Sequence, residues 1–231
     1  MAIGHDASVE SHTGTTSSVS EDSFSTPAFT VSGSAKGLGV FVYQAGNASA
    51  INQQTTRVTA QASGGAEVDI PQALTRGQFD VDVPVDYDTD EVGRVDFFYL
   101  GEDVPTGSVT IKVYRNNNAV QMYATAFSVT ASAAKTMYYP SIAFNQLNGT
   151  LAELSVNDTP GVSGTPAETS LRYAALYSGL ATAPGVGANS TSLQSLNHTG
   201  GYSFAMCRET TAGNGSRPVG FSSGSSDDRA Y

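Results

Sequence analysis

Alternation of apolar and polar side chains is clearest over residues 93–130, where it predicts three consecutive β-strands. The middle strand has the period of two that a half-buried strand needs, with Val109, Ile111 and Val113 alternating with Thr110, Lys112 and Tyr114. The third, over residues 122–129, is apolar at both parities, as in a strand covered on both faces. Pro and Gly at 105–107 and three Asn at 116–118 predict the two turns. We therefore expect this stretch to form a meander.

Short strands of the same kind recur along the chain at roughly 10–15-residue intervals, and no helical periodicity survives the glycines and prolines. The other predicted strands cover residues 37–45, 55–62, 66–70, 78–85, 137–144, 150–156, 170–178, 190–196, 202–208 and 218–221. Gly37 and Gly39 indicate a bulge or a close backbone approach within the first of these. The pattern predicts an all-β fold, an antiparallel β-sandwich of jelly-roll or immunoglobulin-like type.

The N-terminal part of the chain is the least apolar. Residues 1–27 are rich in Ser, Thr, Gly and acidic side chains, and they predict a polar N-terminal arm or an edge segment anchored by Val9, Val19 and Phe24. Residues 28–231 are then the β-sandwich domain, with a candidate subdivision near residues 131–135.

Charge and composition narrow the setting of this fold. The formal net charge is -10 at pH 7, which disfavours nucleic acid as a partner because such binding needs a basic surface. No run approaches the ~18 consecutive apolar residues of a membrane span, so no membrane contact is expected. The first residues show no basic and apolar signal-peptide pattern, which indicates synthesis in a cytoplasm. Cys207 is the single cysteine, so an intramolecular disulfide is excluded.

An acidic run before the first of the three strands is the best candidate for a metal site. Asp86, Asp88 and Asp90 are spaced as carboxylates are in a Ca²⁺ loop, since a hard cation takes several oxygens from one short segment. Glu91 stands where an EF-hand has its Gly, and Phe97 where it has its last Glu, so the run is not an EF-hand. The alternative is a solvated acidic loop. No other cofactor is indicated.

Catalytic motifs are not apparent. His5, His12 and His198 are too far apart for a short metal motif, and Ser203 lies within a predicted strand rather than on the sharp turn of a hydrolase nucleophile. Eleven tyrosines favour either a sugar- or protein-binding surface or ordinary strand positions. The sequence therefore predicts a protein that is not an enzyme, although carboxylates brought together by the fold remain an alternative.

Two stretches carry a resemblance to a known group. These are FYLGEDVPTGSVTIKV at 98–113 and RETTAGNGSRPVGF at 208–221, followed by a closing Ser-Asp-Asp. They resemble a loose group of uncharacterised tailed-phage and prophage proteins, in which these are turn-and-strand motifs. The group's pattern continues after Ser-Asp-Asp into an apolar strand, whereas this chain has Arg229, Ala230 and Tyr231. That strand is then missing or supplied by a partner.

The resemblance implies a virion protein with a β-sandwich fold, made in the host cytoplasm. Together with the acidic charge and the lack of motifs, it predicts a non-enzymatic structural protein, either a capsid decoration (cement) protein or an appendage component. The expected partners are the major capsid protein or tail proteins, with a homo-oligomer such as a trimer. Two alternatives stay open: a lectin-like module for a glycan or host receptor, and an enzyme acting on polysaccharide.

Overall fold

The computed structural model describes residues 4–6, 23–46, 55–73, 92–115, 121–131, 145–146, 154–158, 171–178, 185–197, 203–211, 217–222 and 228–230. These ranges contain sixteen β-strands and no helix, with antiparallel sheets packed against each other, so the predicted all-β sandwich is confirmed. The chain divides into two compact units, His5–Thr136 and Met137–Tyr231 with Met1–Gly4. The predicted domain limits at 27/28 and near 131–135 stay predictions.

The strands up to residue 130 are β1 (Gly4–His5), β2 (Ser23–Ser25), β3 (Phe29–Val31), β4 (Ala35–Gly46), β5 (Thr55–Ala62), β6 (Glu67–Asp69), β7 (Val92–Leu100), β8 (Gly107–Arg115) and β9 (Gln121–Thr130). They form two sheets. Sheet A has the order β1-β9-β4-β7, and sheet B has the order β2-β8-β5-β6, with β3 also on β8. Six of the predicted strands are recognisable here, whereas β1 and β3 lack a periodic signal because they are two and three residues long.

The two sheets share one apolar core. Val109, Ile111 and Val113 of β8 are fully buried between half-buried polar neighbours, which confirms the predicted alternation of that strand. On sheet A, Val40 pairs with Phe98, and Phe98 lines a groove with Val58 and Ile70 of the other sheet. Val40, Phe98 and the alternate residues that share their side of the strands therefore form the inner face of sheet A.

The opposite face of sheet A is buried as well. Phe41, Phe97 and Phe127 form an aromatic cluster there, with ring centroids 4.5 Å apart for Phe41 and Phe97 and 6.2 Å apart for Phe97 and Phe127. Every residue of β9 from Met122 to Val129 is buried, so the prediction of a strand covered on both faces is confirmed. None of the described strands of His5–Thr136 remains to cover this outer face, since each belongs to sheet A or sheet B.

Two glycines make room for this aromatic cluster. A Cβ on Gly39 would overlap the ring of Phe127 directly opposite, and a Cβ on Gly37 would overlap the hydroxyl of Tyr99. The pairing of β4 with β9 shifts register between Ala35 and Gly37, which is the predicted bulge. The close approach is therefore made by side chains on neighbouring strands, where the sequence indicated backbone.

The predicted meander is wrong, although its three strands are present. Strands β7 and β9 both pair with β4 in sheet A, whereas β8, which lies between them in the chain, belongs to sheet B. The chain crosses between sheets after β7, where Asp103 has φ of 51° and Gly107 has φ of 88°. Turn residues mark where a chain reverses, but they do not determine which sheet it enters next.

The described parts of the predicted arm are held by the chain itself. Asp6 donates its backbone N–H to the Ser128 carbonyl at 3.0 Å, and its carboxylate accepts from the Ser128 hydroxyl at 2.8 Å and the Ser32 amide at 2.7 Å. Phe24 is buried on β2, as its predicted role of anchor requires. Val9 and Val19 lie outside the described residues. These residues extend the sandwich at its edges.

The second unit contains β10 (Asn145–Gln146), β11 (Leu154–Asp158), β12 (Tyr173–Ser178), β13 (Ser190–Asn197), β14 (Ser203–Glu209), β15 (Arg217–Phe221) and β16 (Asp228–Ala230). Five of them form a sheet of order β10-β16-β12-β14-β13, and β11 pairs with β15. One apolar cluster joins the two layers: Ala174, Leu176, Ala205, Cys207, Val219 and Phe221. This unit is therefore a second, smaller two-layer packing.

Two details of this unit bear on the sequence predictions. The tail segment Asp228–Ala230 is itself a strand between β10 and β12. The chain thus forms a last strand of its own, where the sequence predicted one that is missing or supplied by a partner. Arg172 donates to the Glu209 carboxylate at 2.9 Å, with side chains only 9% and 2% exposed. Removing one member of such a buried pair typically costs about 3–5 kcal/mol. The pair therefore fixes the start of β12 against the end of β14.

Candidate functional site

The most organised polar surface in the described residues lies on the outer face of sheet B. Alternate residues of β5, β6 and β8 point there, away from the core. Five of them form what we call the Tyr114 cluster: Arg57, Glu67, Asp69, Lys112 and Tyr114. Strand register brings them together, because Arg57 is opposite Tyr114 and Thr59 is opposite both Lys112 and Asp69.

Tyr114 is the centre of this cluster. Its hydroxyl donates a hydrogen bond of 2.7 Å to the Glu67 carboxylate. The Lys112 ammonium lies 4.6 Å from the ring centroid, and the Arg57 guanidinium carbon lies 5.1 Å from it. Both distances are within the range of a cation–π interaction. One aromatic ring thus positions two cations and one anion.

Ion pairs complete the arrangement. Arg57 Nε is 2.5 Å from the Asp69 carboxylate, and Lys112 Nζ is 3.6 Å from Glu67. The side chains of Arg57 and Asp69 are 47% and 70% exposed, so these pairs are screened by water and contribute little to stability. Thr59, beneath them, is fully buried and donates its hydroxyl to Glu67 at 3.3 Å. The main effect of the pairs is to fix side-chain positions on a solvent-facing surface.

The cluster keeps its charges at neutral pH. The hydrogen bond from Tyr114, and then the charges of Lys112 and Arg57 and the Thr59 hydroxyl, lower the pKa of Glu67 below 4.5. The hydrogen bond with Tyr114 raises the pKa of Lys112, and the hydrogen bond with Asp69 raises the pKa of Arg57. A general acid near pH 7 needs a carboxyl pKa shifted in the opposite direction. This chemistry is suited to recognition by fixed charges.

A groove adjoins the Tyr114 cluster and shares Arg57 and Asp69 with it. Its volume is about 430 Å³, within the range of about 300–1,000 Å³ that is typical of ligand sites. The floor is apolar and buried: Val58, Ile70 and Phe98. The rim is polar and exposed, and it includes Thr56 and Gln72. Such a lining fits one apolar group flanked by polar ones.

The structure does not describe the metal site predicted from the sequence. Asp86, Asp88 and Asp90 lie outside the described residues, so the Ca²⁺ hypothesis stays a prediction. Within the ranges that the structure describes, no three side chains of His, Cys, Asp or Glu come close enough to hold a metal ion.

The cysteine, serine and histidine residues considered in the sequence lie either within strands or outside the described residues. Cys207 is buried in β14, and burial raises the pKa of its thiol to about 12, as expected of an inert thiol. Ser203 is buried at the start of β14, so it lies in a strand as predicted. His5 belongs to β1, while His12 and His198 lie outside the described residues.

Sequence reasoning missed the Tyr114 cluster. The alternation of β8 already indicated that Lys112 and Tyr114 face away from the core. It gave no means of predicting that Arg57 of β5 lies opposite Tyr114, because a strand carries no record of its partner's register. A search for opposite charges at the solvent parity of all predicted strands would have selected these residues among others.

Comparison with known proteins gives no relative: no protein-family model, curated protein or solved structure matches the chain. The resemblance to phage proteins therefore stays a prediction. Among the residues described, no helix has the length and apolar character needed to cross a membrane.

Proposed function

We propose that this protein is a non-enzymatic structural component of a virus particle, a capsid decoration (cement) protein or a part of an appendage. Its work is to bind neighbouring subunits: the major capsid protein or tail proteins, and further copies of itself in a closed homo-oligomer such as a trimer. It is made in the host cytoplasm and resides in the virion. The turn-and-strand motifs at 98–113 and 208–221 and the net charge of -10 support this setting.

One structural observation carries the proposal, which is the prearranged Tyr114 cluster on a solvent-facing sheet. Tyr and Arg are enriched at protein interfaces and among the few residues that dominate the binding energy there. Cation–π contacts and ion pairs hold Arg57, Lys112 and Glu67 in place before any partner arrives. Binding then costs less side-chain entropy than it would for mobile charges. A repeated subunit contact benefits from that rigidity.

Mass spectrometry of purified particles tests the setting, and a pair of variants tests the surface. We expect the protein in particles at a stoichiometric copy number, and we expect Tyr114→Ala to reduce its incorporation severalfold. Gln61→Ala, an exposed position on β5 of the same sheet, is the matched control and should be incorporated normally. A stable monomer that is never found in particles would overturn the proposal.

The groove favours a second candidate, a lectin-like module that binds a glycan or a host receptor. Its exposed rim offers hydroxyl, amide and charged groups above an apolar floor, which is a lining that also suits a sugar. A glycan array probed with the purified protein tests this candidate. Hits that disappear in Gln72→Trp, which fills the groove, would favour it over a role in assembly, and an array without hits would count against it.

A further inference from the structure

Strand β5 is paired along only part of one edge. It spans Thr55–Ala62, but β6 pairs with it only from Thr59 to Gln61. The last contact on that side is the Ile70 amide, which donates to the Val58 carbonyl at 2.9 Å. Of the strands that the structure describes, none lies beside Thr56 and Arg57 on this edge.

The chain leaves this edge because it moves to the other sheet. The Pro71 carbonyl accepts from the Tyr99 amide at 3.0 Å, and the Ala73 amide donates to the Phe97 carbonyl at 2.9 Å. Gln72 forms a bridge with Phe98 of β7. The segment that would have continued β6 therefore closes the side of the sandwich instead. The groove described above occupies the space that this segment leaves.

We propose that this groove accepts one extended, basic peptide segment, which lies beside Thr56 and Arg57 of β5 and continues the line of β6. This inference rests on the proposed function, for which it supplies the kind of contact: the segment belongs to a neighbouring subunit of the particle. Addition of a strand to a sheet edge gives affinity through main-chain hydrogen bonds and specificity through alternate side chains.

The lining determines the chemistry of the occupant. Successive side chains of an added strand point to opposite faces, so one enters the floor formed by Val58, Ile70 and Phe98 while the next faces the polar rim. The register shift between Thr55 and Arg57 marks a bulge at Thr56, a feature that is frequent beside functional sites. An alternating apolar and polar segment fits both faces of the groove.

Charge selects the source of that segment. The protein carries a net charge of -10, which disfavours a segment of a second copy in this groove relative to a basic segment of another protein. The Asp69 carboxylate at the rim is paired with Arg57 but is 70% exposed, so a passing cation can compete for it. A basic segment is attracted instead, with a rate and an affinity that fall as salt is added. The occupant is thus a basic strand of a different subunit.

Binding of defined peptides to the purified full chain tests this inference without reference to particles. The probe is a short, end-blocked peptide of alternating Val and Lys, followed by fluorescence anisotropy at low salt. One comparison peptide replaces Lys by Glu. A second keeps the Val–Lys sequence but is N-methylated at alternate residues, which preserves charge and side chains and removes the hydrogen-bond donors of one edge. We expect the Val–Lys peptide to bind at least about tenfold more tightly than either.

Variants of the groove locate the binding. Gln72→Trp, which fills the groove, should weaken the Val–Lys peptide about tenfold or more. Gln61→Trp, at an exposed position of β5 outside the groove, should leave it unchanged. Asp69→Asn should weaken it about two- to fivefold. Thermal unfolding of each variant establishes that it is folded.

Equal affinity for the N-methylated peptide would mean general attraction of a polycation and would overturn the inference, as would unchanged binding by a folded Gln72→Trp. A glycan that binds in the groove and displaces the Val–Lys peptide would overturn it too, in favour of the lectin-like function. If the protein is in particles but the groove binds no strand, the inference alone fails. If the peptide binds as expected but the protein is absent from particles, the proposed function fails while the acceptor groove stands.

Discussion

Sheet A and sheet B contribute to the same core, yet their outer faces differ completely. On sheet A the outer face is aromatic and buried, with Phe41, Phe97 and Phe127 each less than a tenth exposed. On sheet B it is charged and solvent-facing: the side chain of Arg57 is 47% exposed and that of Asp69 is 70% exposed. The first sheet is therefore held by packing on both sides, and the second by packing on one side only. A surface available for binding is expected on sheet B.

The largest effect on stability is expected from truncation of an aromatic residue on the outer face of sheet A. Phe127→Ala should lower the free energy of unfolding by about 3–5 kcal/mol, because a fully packed ring is lost. Thr110→Ala, on the outer face of sheet B, should change it by less than about 0.5 kcal/mol. Urea denaturation of the two variants measures both values. Similar losses would mean that the two outer faces are equivalent.

A smaller effect is expected from adding a methyl group where sheet A has none. Gly39→Ala places a Cβ against the ring of Phe127, and such overpacking typically costs about 1–3 kcal/mol. The double variant Gly39→Ala/Phe127→Leu should lose less than the sum of the two single variants, since each change relieves the other. A double-mutant cycle measured by urea denaturation gives the coupling. Strict additivity would contradict the proposed contact.

Alkaline pH should act on sheet A through Tyr99. Burial raises the pKa of this phenol from 10.0 to about 12. The pKa of Tyr99 is higher in the folded state than in the unfolded state, so its contribution to the free energy of unfolding is fully present below pH 10. As pH rises towards 12, the free energy of unfolding should fall by up to about 2 kcal/mol. Tyr99→Phe should remove this part of the pH dependence of unfolding. An unchanged alkaline profile in the variant would assign the effect to other groups.

Acidic pH should act on sheet B, and only slightly. The lowered pKa of Glu67 means that its contribution is present above pH 4.5 and is lost as pH falls through the folded-state pKa. The group faces solvent, so the melting temperature should change by no more than a few degrees. NMR titration of the Glu67 carboxyl checks the direction directly, with Tyr114→Phe as the control that moves the pKa back towards 4.5. A Glu67 pKa above 4.5 would contradict the arrangement.

The sequence allowed the strands to be predicted better than their partners. Period-two alternation identified β8, and apolar residues at both parities identified β9 as covered on both faces. The assignment of β7, β8 and β9 to alternating sheets was not predictable, since a strand sequence specifies faces and not neighbours. For the same reason the Tyr114 cluster could not be predicted, because it forms only when strand pairing places Arg57 opposite Tyr114.

A site contained in one short segment is easier to predict from sequence than a site assembled from several strands. The acidic run with Asp86, Asp88 and Asp90 attracted attention because it is contiguous in sequence. Arg57, Glu67 and Lys112 are dispersed over three strands, so no local window contains them. A site assembled from several strands can be recognised only once the fold is known, whereas a site within one loop can be predicted from a sequence motif.

The position of β4 at the centre of sheet A has a consequence for the order in which the protein forms. Its hydrogen-bonded neighbours come late in the chain, and the contact of Tyr43 with Thr125 joins residues 82 positions apart. Closing such long loops precedes any gain from pairing, so folding of this unit is expected to be slow, on a timescale of milliseconds to seconds. During synthesis, the apolar strand β4 has to wait until β9 has emerged from the ribosome. Newly made chains therefore expose this apolar strand until its partners are available, and a chaperone is expected to engage them at residues 38–43.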